Sequence, residues 1–524
     1  MANALLTEIA LENFKSHRQE TVVKLNPLTV LVGPNNSGKS SIVQALLLLK
    51  QTLEFPRVEI PLHLAGVVEA NSLREITYGW PVGSTFIGPR FRIKWRSDID
   101  TGSVLAELGE SAISVVDERL GGGWFHAALK QDGYPVDTSI DLAFAQMDGE
   151  LVLHKIILTS FDAFGQVPRI ELAFEREGDA GYRFHFNGEV GKSVQTDLDH
   201  FIPFISINAR NVGPRDRQRA WVNAFKAMFV QPLDDLRSIL NRLNYLSSTR
   251  SIQPAMYRFS TVAPDGVGVS GELAAQLLQA SKDKKVLYLT PSRAASDEFP
   301  SEEIDTLQNA TRGVLKDMGI DAPLAIEEIG DIGFRLLFGQ ATLQHVGRGL
   351  TYLLPIVEMG LIGDPSIFSS VLGKEQNFKE ANFTFCSFEE PEAHLHPRIQ
   401  SKLAEWFVAL AVSKRQVLVE THSDHLVRKL RSLVAERGEG SPMEQFLSEY
   451  VSIIEIEQED GVSKAASSSL HRNGDLDSWP RDFMGQAQEV ESAIYLSSLN
   501  KASVEVESTE VRHSGEYEPY ERPD

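Results

Sequence analysis

The N-terminal part of the chain alternates short apolar runs with polar turns. Residues 4–32 contain two strand-like runs, LLTEIALENF and TVVKLNPLTVLV, joined by the polar segment KSHRQE. The second run ends in the continuous apolar stretch Leu28–Val32, which is typical of a buried strand. A glycine-rich loop follows directly, and from Ser40 the segment SSIVQALLLLKQTLE has helical apolar spacing. The pattern predicts a strand, a glycine loop and a helix in succession.

The middle of the chain changes pattern twice. Residues 70–206 contain short β-prone runs separated by turn signals, which predict a mostly antiparallel layer. Residues 209–245 and 268–320 are helix-like, and the first of these segments is locally basic through Arg210, Arg215, Arg217, Arg219, Lys226, Arg237 and Arg242. These cations fit either a solvated helix face, the simpler interpretation, or a surface for nucleic acid or a partner. No heptad pattern persists long enough for a coiled-coil arm.

Composition narrows the class of protein. The 524 residues are 42% hydrophobic, enough for a sizeable core, and the net charge of −21 argues against a broadly basic surface for nonspecific nucleic-acid binding. The single cysteine, Cys386, excludes an intrachain disulfide and a cysteine-based zinc site. No targeting segment or membrane-length apolar run is indicated, so a cytoplasmic protein without membrane contact is expected. Residues 503–524 are acidic and predict a disordered tail.

The strongest chemical signal is a complete G-x-x-x-x-G-K-[ST] motif at Gly33–Ser40. Its glycines let backbone N–H groups surround phosphate oxygens, Lys39 neutralises the β- and γ-phosphates, and the Ser40 hydroxyl ligates Mg²⁺. The motif predicts ATP and Mg²⁺ as ligands. The residues predicted to bind the nucleotide here are Asn35, Asn36, Ser37, Gly38, Lys39, Ser40 and Ser41.

A second signal is the segment ANFTFCSFEEPEAHLHP at 381–397. Its apolar residues lead into Glu389 and Glu390, as expected of a buried strand that delivers two carboxylates to its C-terminal end. One carboxylate, assigned to Glu389, can hold the water shell of Mg²⁺. The next, Glu390, can polarise the attacking water.

A third signal is QVLVETHSDH at 416–425, where another apolar run ends in a polar turn that carries His422. This histidine is suited to contact a γ-phosphate from beside the sheet. The alternative is a metal cluster formed by nearby glutamates with His394, His396, His422 and His425.

These segments, in this order, resemble the ABC-type head of SMC-like and OLD-like P-loop ATPases. EEPEAHLHP resembles their Walker B motif and D-loop, and ETHSDHLV resembles their switch-histidine segment. The resemblance covers roughly residues 5–55 and 340–430. It implies an α/β fold in which a mixed sheet surrounds the P-loop helix beside an antiparallel β layer, with a helical insertion. It also assigns Lys39, Glu390 and His422 as the catalytic residues.

Three further segments are similar to those of bacterial anti-phage ATPases, with the Septu type nearest. They are YLSSTRSIQPAMY at 245–257, the signature-like HVGRGLTYLLPIV at 345–357 and RNGDLDSWPRDFM at 472–484. The resemblance implies that Gly347, Gly349 and Thr351 reach the γ-phosphate of an opposite subunit. Thr351 and Tyr352 replace the usual Ser-Gln, and Glu389 replaces the Asp of many ABC proteins, so slowed hydrolysis is expected.

The resemblance also sets expectations for organisation and partners. One P-loop and one signature per chain imply that ATP is sandwiched in a homodimer or a higher even-numbered assembly. The expected function is an ATPase that senses a trigger and regulates a separate nuclease or toxin effector, with nucleic acid as a further candidate partner. The alternatives are a free-standing SMC-like repair ATPase and a scaffold that stores a toxin. No nuclease site is expected, since His471-Arg472-Asn473 lacks a ββα context and predicts a turn. The predicted domains are ATPase lobe I at 1–206, a helical middle region at 207–335, lobe II at 336–502 and the tail at 503–524.

Overall fold

A computed structural model gives the fold of most of the chain. It describes residues 6–99, 134–161, 168–177, 181–186, 189–190, 194–207, 222, 226–251, 253–260, 262–321, 323–362 and 384–477. The described residues, which end at Asp477, form one compact unit. The predicted tail, residues 478–484 and the arginines at 210–219 lie outside the described residues.

The strands of the first half of the chain are β1 (Leu6–Glu12), β2 (Thr21–Lys24), β3 (Leu28–Val32), β4 (Phe86–Ile99), β5 (Tyr134–Met147), β6 (Glu150–Phe161), β7 (Pro168–Arg176), β8 (Tyr182–Phe186), β9 (Glu189–Val190), β10 (Val194–Asp199) and β11 (Ile202–Ile207). Those of the second half are β12 (Leu243–Leu246), β13 (Lys285–Tyr288), β14 (Glu303–Thr306), β15 (Leu324–Ile329), β16 (Gly333–Phe338), β17 (Ala341–Thr342), β18 (Thr384–Glu389), β19 (Arg415–Glu420), β20 (Val451–Glu459) and β21 (Val462–Ser469).

The described α-helices are α1 (Lys39–Leu53), α2 (Leu73–Ile76), α3 (Gln231–Asn241), α4 (Ala274–Ser281), α5 (Leu307–Asp317), α6 (Arg348–Ile362), α7 (Pro397–Val412), α8 (Asp424–Ala435) and α9 (Pro442–Tyr450). Single turns of other helix types occur at Lys226–Val230, Pro291–Ala295 and Leu343–His345. None of these described helices combines the length and apolar character needed to span a membrane.

Two large sheets organise the molecule. An antiparallel sheet has the order β2-β1-β4-β5-β6-β7-β8-β9, and a mixed sheet has the order β12-β18-β19-β3-β20-β21. In the mixed sheet only β21 runs antiparallel to its neighbour. Strands β3 and β19 are buried along their full length, as expected of parallel strands covered on both faces.

Helix α1 connects the two sheets through one hydrophobic core. It is buried on nearly all sides, and its leucines share a cluster with Phe91 of β4 and Ile156 of β6, and with Leu418 and Ile454 of the mixed sheet. Helix α7 packs against β19 and β3. The predicted fold class, a mixed sheet around the P-loop helix with an antiparallel layer, is confirmed.

The middle region contains more strand than its sequence pattern predicts. Strand β12 pairs in parallel with β18 and so belongs to the mixed sheet, and β13 and β14 form a hairpin within the segment that reads as helical. All three strands are only four residues long, too short for a period-two pattern to stand out from helical spacing. The boundaries of the four proposed domains stay predictions.

Candidate functional site

The P-loop leaves the C-terminal end of β3 with backbone angles that favour glycine. Gly33 has φ +141°, and a Cβ there would lie 2.2 Å from the carbonyl oxygen of Ile456 in β20. Gly38 has φ +102°, and its Cβ would lie 2.5 Å from Ser463 Oγ. Because a side chain would collide at both positions, glycine lets the loop close tightly. The tip between them, Asn35 and Asn36, is exposed to solvent.

Residues far away in sequence hold this loop in shape. The Ser463 hydroxyl on β21 donates to the Ser37 carbonyl oxygen at 2.5 Å. His17 Nε2 lies 3.2 Å from the Gly38 carbonyl oxygen, and the Ser41 N–H donates to the same carbonyl at 3.1 Å. Ser463 and His17 were not predicted from the sequence, because no local motif marks them.

Lys39 begins α1 and lies inside the loop. Its ammonium donates to the carbonyl oxygens of Gly33 at 3.1 Å and Pro34 at 2.8 Å. Burial lowers the pKa of Lys39, against the opposing effect of nearby carboxylates, of which Glu420 is the strongest. The lysine is thereby placed where phosphates bound by the loop N–H groups would meet its charge.

The structure brings Ser40 against a residue that sequence analysis did not select. The Ser40 hydroxyl donates to Glu420 Oε1 at 2.8 Å. Glu420 ends β19 as Glu389 ends β18, and the two are register partners in the sheet. A carboxylate at the end of a second buried strand is the signal that could have identified it.

The two glutamates at the end of β18 have different surroundings. The Glu389 carboxylate accepts hydrogen bonds from the Tyr245 hydroxyl and, at 3.3 Å, from the Ser248 N–H. Arg250, which is buried, donates to the Glu389 carbonyl oxygen at 3.3 Å. Glu390 keeps a half-exposed carboxylate, with its backbone held at φ +43° by an N–H bond to the Glu420 carbonyl oxygen. Water can therefore reach the Glu390 carboxylate.

His422 follows β19 and faces the same carboxylate. Its Nε2 lies 3.9 Å from Glu390 Oε1, and its backbone N–H donates to Glu392 Oε1 at 2.6 Å. Burial, and secondly the Lys39 charge, lower the pKa of His422. The imidazole is therefore neutral at physiological pH and can donate one hydrogen bond to a phosphate.

Electrostatics favour a cation at this site. Burial, and secondly the charge of Glu389, raise the pKa of Glu420 to about 7. Its Oε2 is buried without a hydrogen-bond partner among the described residues. A divalent cation that shares one or two carboxylates with phosphates and water would satisfy such an oxygen. Ser40 and the strand-end glutamates thus fit Mg²⁺.

The signature-like segment begins α6. A Cβ on Gly349 would lie 3.2 Å from the His394 carbonyl oxygen, and the Tyr352 ring packs edge-on against His394 at 5.0 Å. Gly347 faces open space, and the Thr351 hydroxyl donates to the Leu343 carbonyl oxygen at 3.4 Å. The signature thus packs on the loop that follows Glu390, and its contact with a second subunit stays a prediction.

The two alternative sites lack support. No group of three or more histidine, cysteine or acidic side chains is arranged to hold a metal ion in the described part of the chain. The His396 ring instead caps α7 by accepting the Arg398 N–H. Residues 471–474 form a turn closed by a bond from the Gly474 N–H to the His471 carbonyl oxygen, as predicted.

Comparison with known proteins gives one family match. Residues 5–91 and 366–427 match the model of the AAA ATPase domain. Both halves of the site lie inside the matched ranges, with Lys39 in the first and Glu390, Glu420 and His422 in the second. The match thus spans the two separated segments of the chain that carry the P-loop and the residues at the ends of β18 and β19. No curated protein matches the sequence significantly.

Solved structures similar to this chain include three SMC heads. One is an SMC head bound to the C-terminal winged-helix domain of ScpA, with 13% identity and a TM-score of 0.36 over 90% of this chain and 99% of that chain. Another is the SMC head of Thermotoga maritima, with 10% identity and a TM-score of 0.31 over 88% and 98%. The third is an SMC head with an extended coiled coil, bound to a ScpA domain from Pyrococcus furiosus, with 12% identity and a TM-score of 0.31 over 94% and 99%.

Proposed function

We propose that the protein binds and hydrolyses ATP with Mg²⁺ at this site. The observation that carries the proposal is the convergence of Lys39, Ser40, Glu390 and His422 at the C-terminal ends of β3, β18 and β19. These residues come from segments about 350 positions apart in the sequence. The lysine of a P-loop binds phosphate and its serine binds the cation. A half-exposed glutamate beside them can accept a proton from water.

Each residue has a definite role in this reaction. Loop N–H groups and Lys39 bind the β- and γ-phosphates, and Ser40 with Glu389 would hold Mg²⁺, which supplies charge neutralisation when bound. Glu390 accepts a proton from the attacking water. The Nε2 atom of neutral His422 lies 3.9 Å from Glu390 Oε1. His422 would donate a hydrogen bond towards the γ-phosphate and so position both the phosphate and the attacking water.

The complete site is proposed to form between two copies of the chain. The signature residues Gly347, Gly349 and Thr351 would approach the nucleotide held by the partner's P-loop, which gives a homodimer with two composite sites. ATP binding then favours the closed dimer, and hydrolysis releases it. A homodimer is the smallest even-numbered assembly with this arrangement.

The biological role we propose is nucleotide-gated control of a separate nuclease or toxin effector in anti-phage defence. Support comes from the resemblance of residues 245–257, 345–357 and 472–484 to defence ATPases. An SMC-like chromosome-handling ATPase is the competing role, and the assay below separates the two.

The test measures ATP hydrolysis and assembly mass together. Wild type should hydrolyse ATP and change from monomer to an even-numbered assembly with ATP and Mg²⁺, whereas Lys39→Ala should do neither. Absence of hydrolysis in the wild type, with and without DNA, contradicts the proposal. Purification from the native operon should recover an effector. Strong DNA stimulation without an effector would instead favour the chromosome-handling role.

A further inference from the structure

Glu420 occupies the junction of the two halves of the site. It ends β19, which lies between the P-loop strand β3 and the strand β18 that delivers Glu389 and Glu390. Its side chain is only 4% exposed. Through its Oε1 it accepts the Ser40 hydroxyl at 2.8 Å, and through its carbonyl oxygen it accepts the Glu390 N–H at 2.8 Å. One residue therefore ties the P-loop serine to the backbone of the water-activating glutamate.

The bond to Ser40 sets the direction in which the hydroxyl lone pairs point. A hydroxyl group has one proton and two acceptor lone pairs. Because the proton is donated to Glu420, both lone pairs of Ser40 are left for a cation. Any other acceptor for that proton would have to replace a bond that is already made within a buried site.

The second carboxylate oxygen points to the same ligand. Glu420 Oε2 is buried and has no hydrogen-bond partner in the described ranges. Lys39 does not neutralise it by direct contact, because the described bonds of that ammonium go to the Gly33 and Pro34 carbonyl oxygens. A buried carboxylate oxygen without a partner is costly, and a divalent cation beside Ser40 removes that cost.

We propose that Glu420 positions Ser40 and supplies a carboxylate oxygen to the Mg²⁺ that accompanies the bound nucleotide. The inference rests on the proposed function and adds to it a residue outside the P-loop and the Glu389-Glu390 pair. Glu420 acts on the cation and on Ser40, and it need not touch the nucleotide itself.

The consequence is a specific coupling between metal and nucleotide. Without Mg²⁺ the Glu420 charge repels the phosphates, and with Mg²⁺ the same charge attracts the complex. Glu420→Gln keeps the shape of the side chain and an oxygen that can accept the Ser40 hydroxyl, but removes the charge. The variant should bind nucleotide without metal at least as well as wild type. The Mg²⁺ gain, meaning the factor by which Mg²⁺ strengthens nucleotide binding, should be about 10–100-fold smaller than in wild type.

The experiment measures binding of the non-hydrolysable analogue AMP-PNP by calorimetry, in EDTA and in Mg²⁺, for wild type and Glu420→Gln. The matched control is Glu455→Gln on β20, another buried carboxylate beside the end of β3. Glu420 is the register partner of Leu31 and Glu455 that of Val32, so the two side chains point to opposite faces of the sheet. The control should keep the full Mg²⁺ gain.

A double-mutant cycle with Ser40→Ala gives a second readout if one variant is unstable. The losses of Mg²⁺ gain from Ser40→Ala and Glu420→Gln should be non-additive, because the two side chains are neighbouring ligands of the same cation. A Mg²⁺ gain in Glu420→Gln within about twofold of wild type, or full additivity in the cycle, overturns the inference alone. Failure of wild type to bind AMP-PNP under either condition overturns the proposed function as well.

Discussion

The two large sheets treat charge in opposite ways. In the antiparallel sheet, Arg90 on β4 bonds to Asp141 on the neighbouring β5, with Nε 2.7 Å from Oδ1, and to Glu12 on β1 at 3.1 Å. At the carboxyl end of the mixed sheet, Glu389 and Glu420 are register partners of like charge. The first sheet neutralises its charges across strands, and the second concentrates them.

This difference separates a sheet with structural ion pairs from the sheet that carries the proposed site. Opposite charges on facing strands stabilise a sheet slightly, whereas like charges directly opposite each other destabilise it. In the mixed sheet, this unfavourable pairing of like charges lies at the carboxyl end of the strands, where the P-loop leaves β3. The pKa values of Lys39 and His422, at the same end of the sheet, are lowered. Clustered, perturbed carboxylates at a strand end are what cation and phosphate chemistry requires.

The largest effect is expected from Glu390→Gln, which removes the proposed proton acceptor at the carboxyl end of the mixed sheet. The hydrolysis rate should fall about 10²–10⁴-fold while AMP-PNP binding is retained, because the amide preserves shape but cannot take a proton. Asp141→Asn in the antiparallel sheet is the control. It should leave the rate nearly unchanged, and a comparable rate loss in both variants would contradict the contrast between the sheets.

A smaller effect is expected from Gly33→Ala, measured by chemical denaturation. The added Cβ would lie 2.2 Å from the Ile456 carbonyl oxygen at a φ of +141°, so strain and overpacking together should lower the free energy of unfolding by about 2–4 kcal/mol. The control is Gly79→Ala, at φ +72° with nothing within 4 Å. Equal losses at the two positions would show that contact with β20 does not shape the P-loop.

Glu358 in α6 is a buried carboxylate outside the group of glutamates at the end of the mixed sheet, and it tests how such a group makes stability depend on pH. It is fully buried, both its carboxylate oxygens have no hydrogen-bond partner within the described residues, and burial raises its pKa well above the usual value. The folded protein therefore holds a proton that the unfolded chain releases above about pH 4.5, so this group lowers stability as pH rises.

Glu358→Gln cannot ionise and should lack this loss of stability. Its free energy of unfolding relative to wild type should increase as the pH rises above about 4.5, by at most about 1.4 kcal/mol per pH unit. Denaturation at several pH values measures the trend, with the exposed Glu328→Gln as control. A difference between variant and wild type that does not change with pH would rule out a buried protonated carboxyl.

The smallest effect is expected from Glu12→Gln in the antiparallel sheet. It breaks the bond between Glu12 and Arg90 while Asp141 stays in place, and both side chains are partly exposed. The free energy of unfolding should fall by about 0.2–1 kcal/mol, and the loss should shrink in high salt. A larger loss that does not depend on salt, measured by denaturation, would mean that this pair contributes more to the free energy of unfolding than an exposed ion pair does.

The proposed catalytic positions could be named from the sequence because each lies in a contiguous motif. Gly33–Ser40 and Glu389-Glu390 follow apolar runs whose ends the pattern marks, and the structure places both at strand ends as expected. The strands β12, β13 and β14 were not predicted, because four residues carry too little periodicity. Glu420 was missed although it lies within the 416–425 segment that carries His422, since its role depends on which strand lies beside β3.

The sequence by itself determined the P-loop, the strand-end glutamates and the histidine turn, because each depends on local residue types and spacing. Only the tertiary structure decided that Glu420 bonds to Ser40, that Tyr245 holds Glu389 and that Ser463 supports Ser37. These partners are separated by 380, 144 and 426 positions. The order of strands in the mixed sheet brings them together, and strand order follows from packing of the whole core, which no short segment encodes.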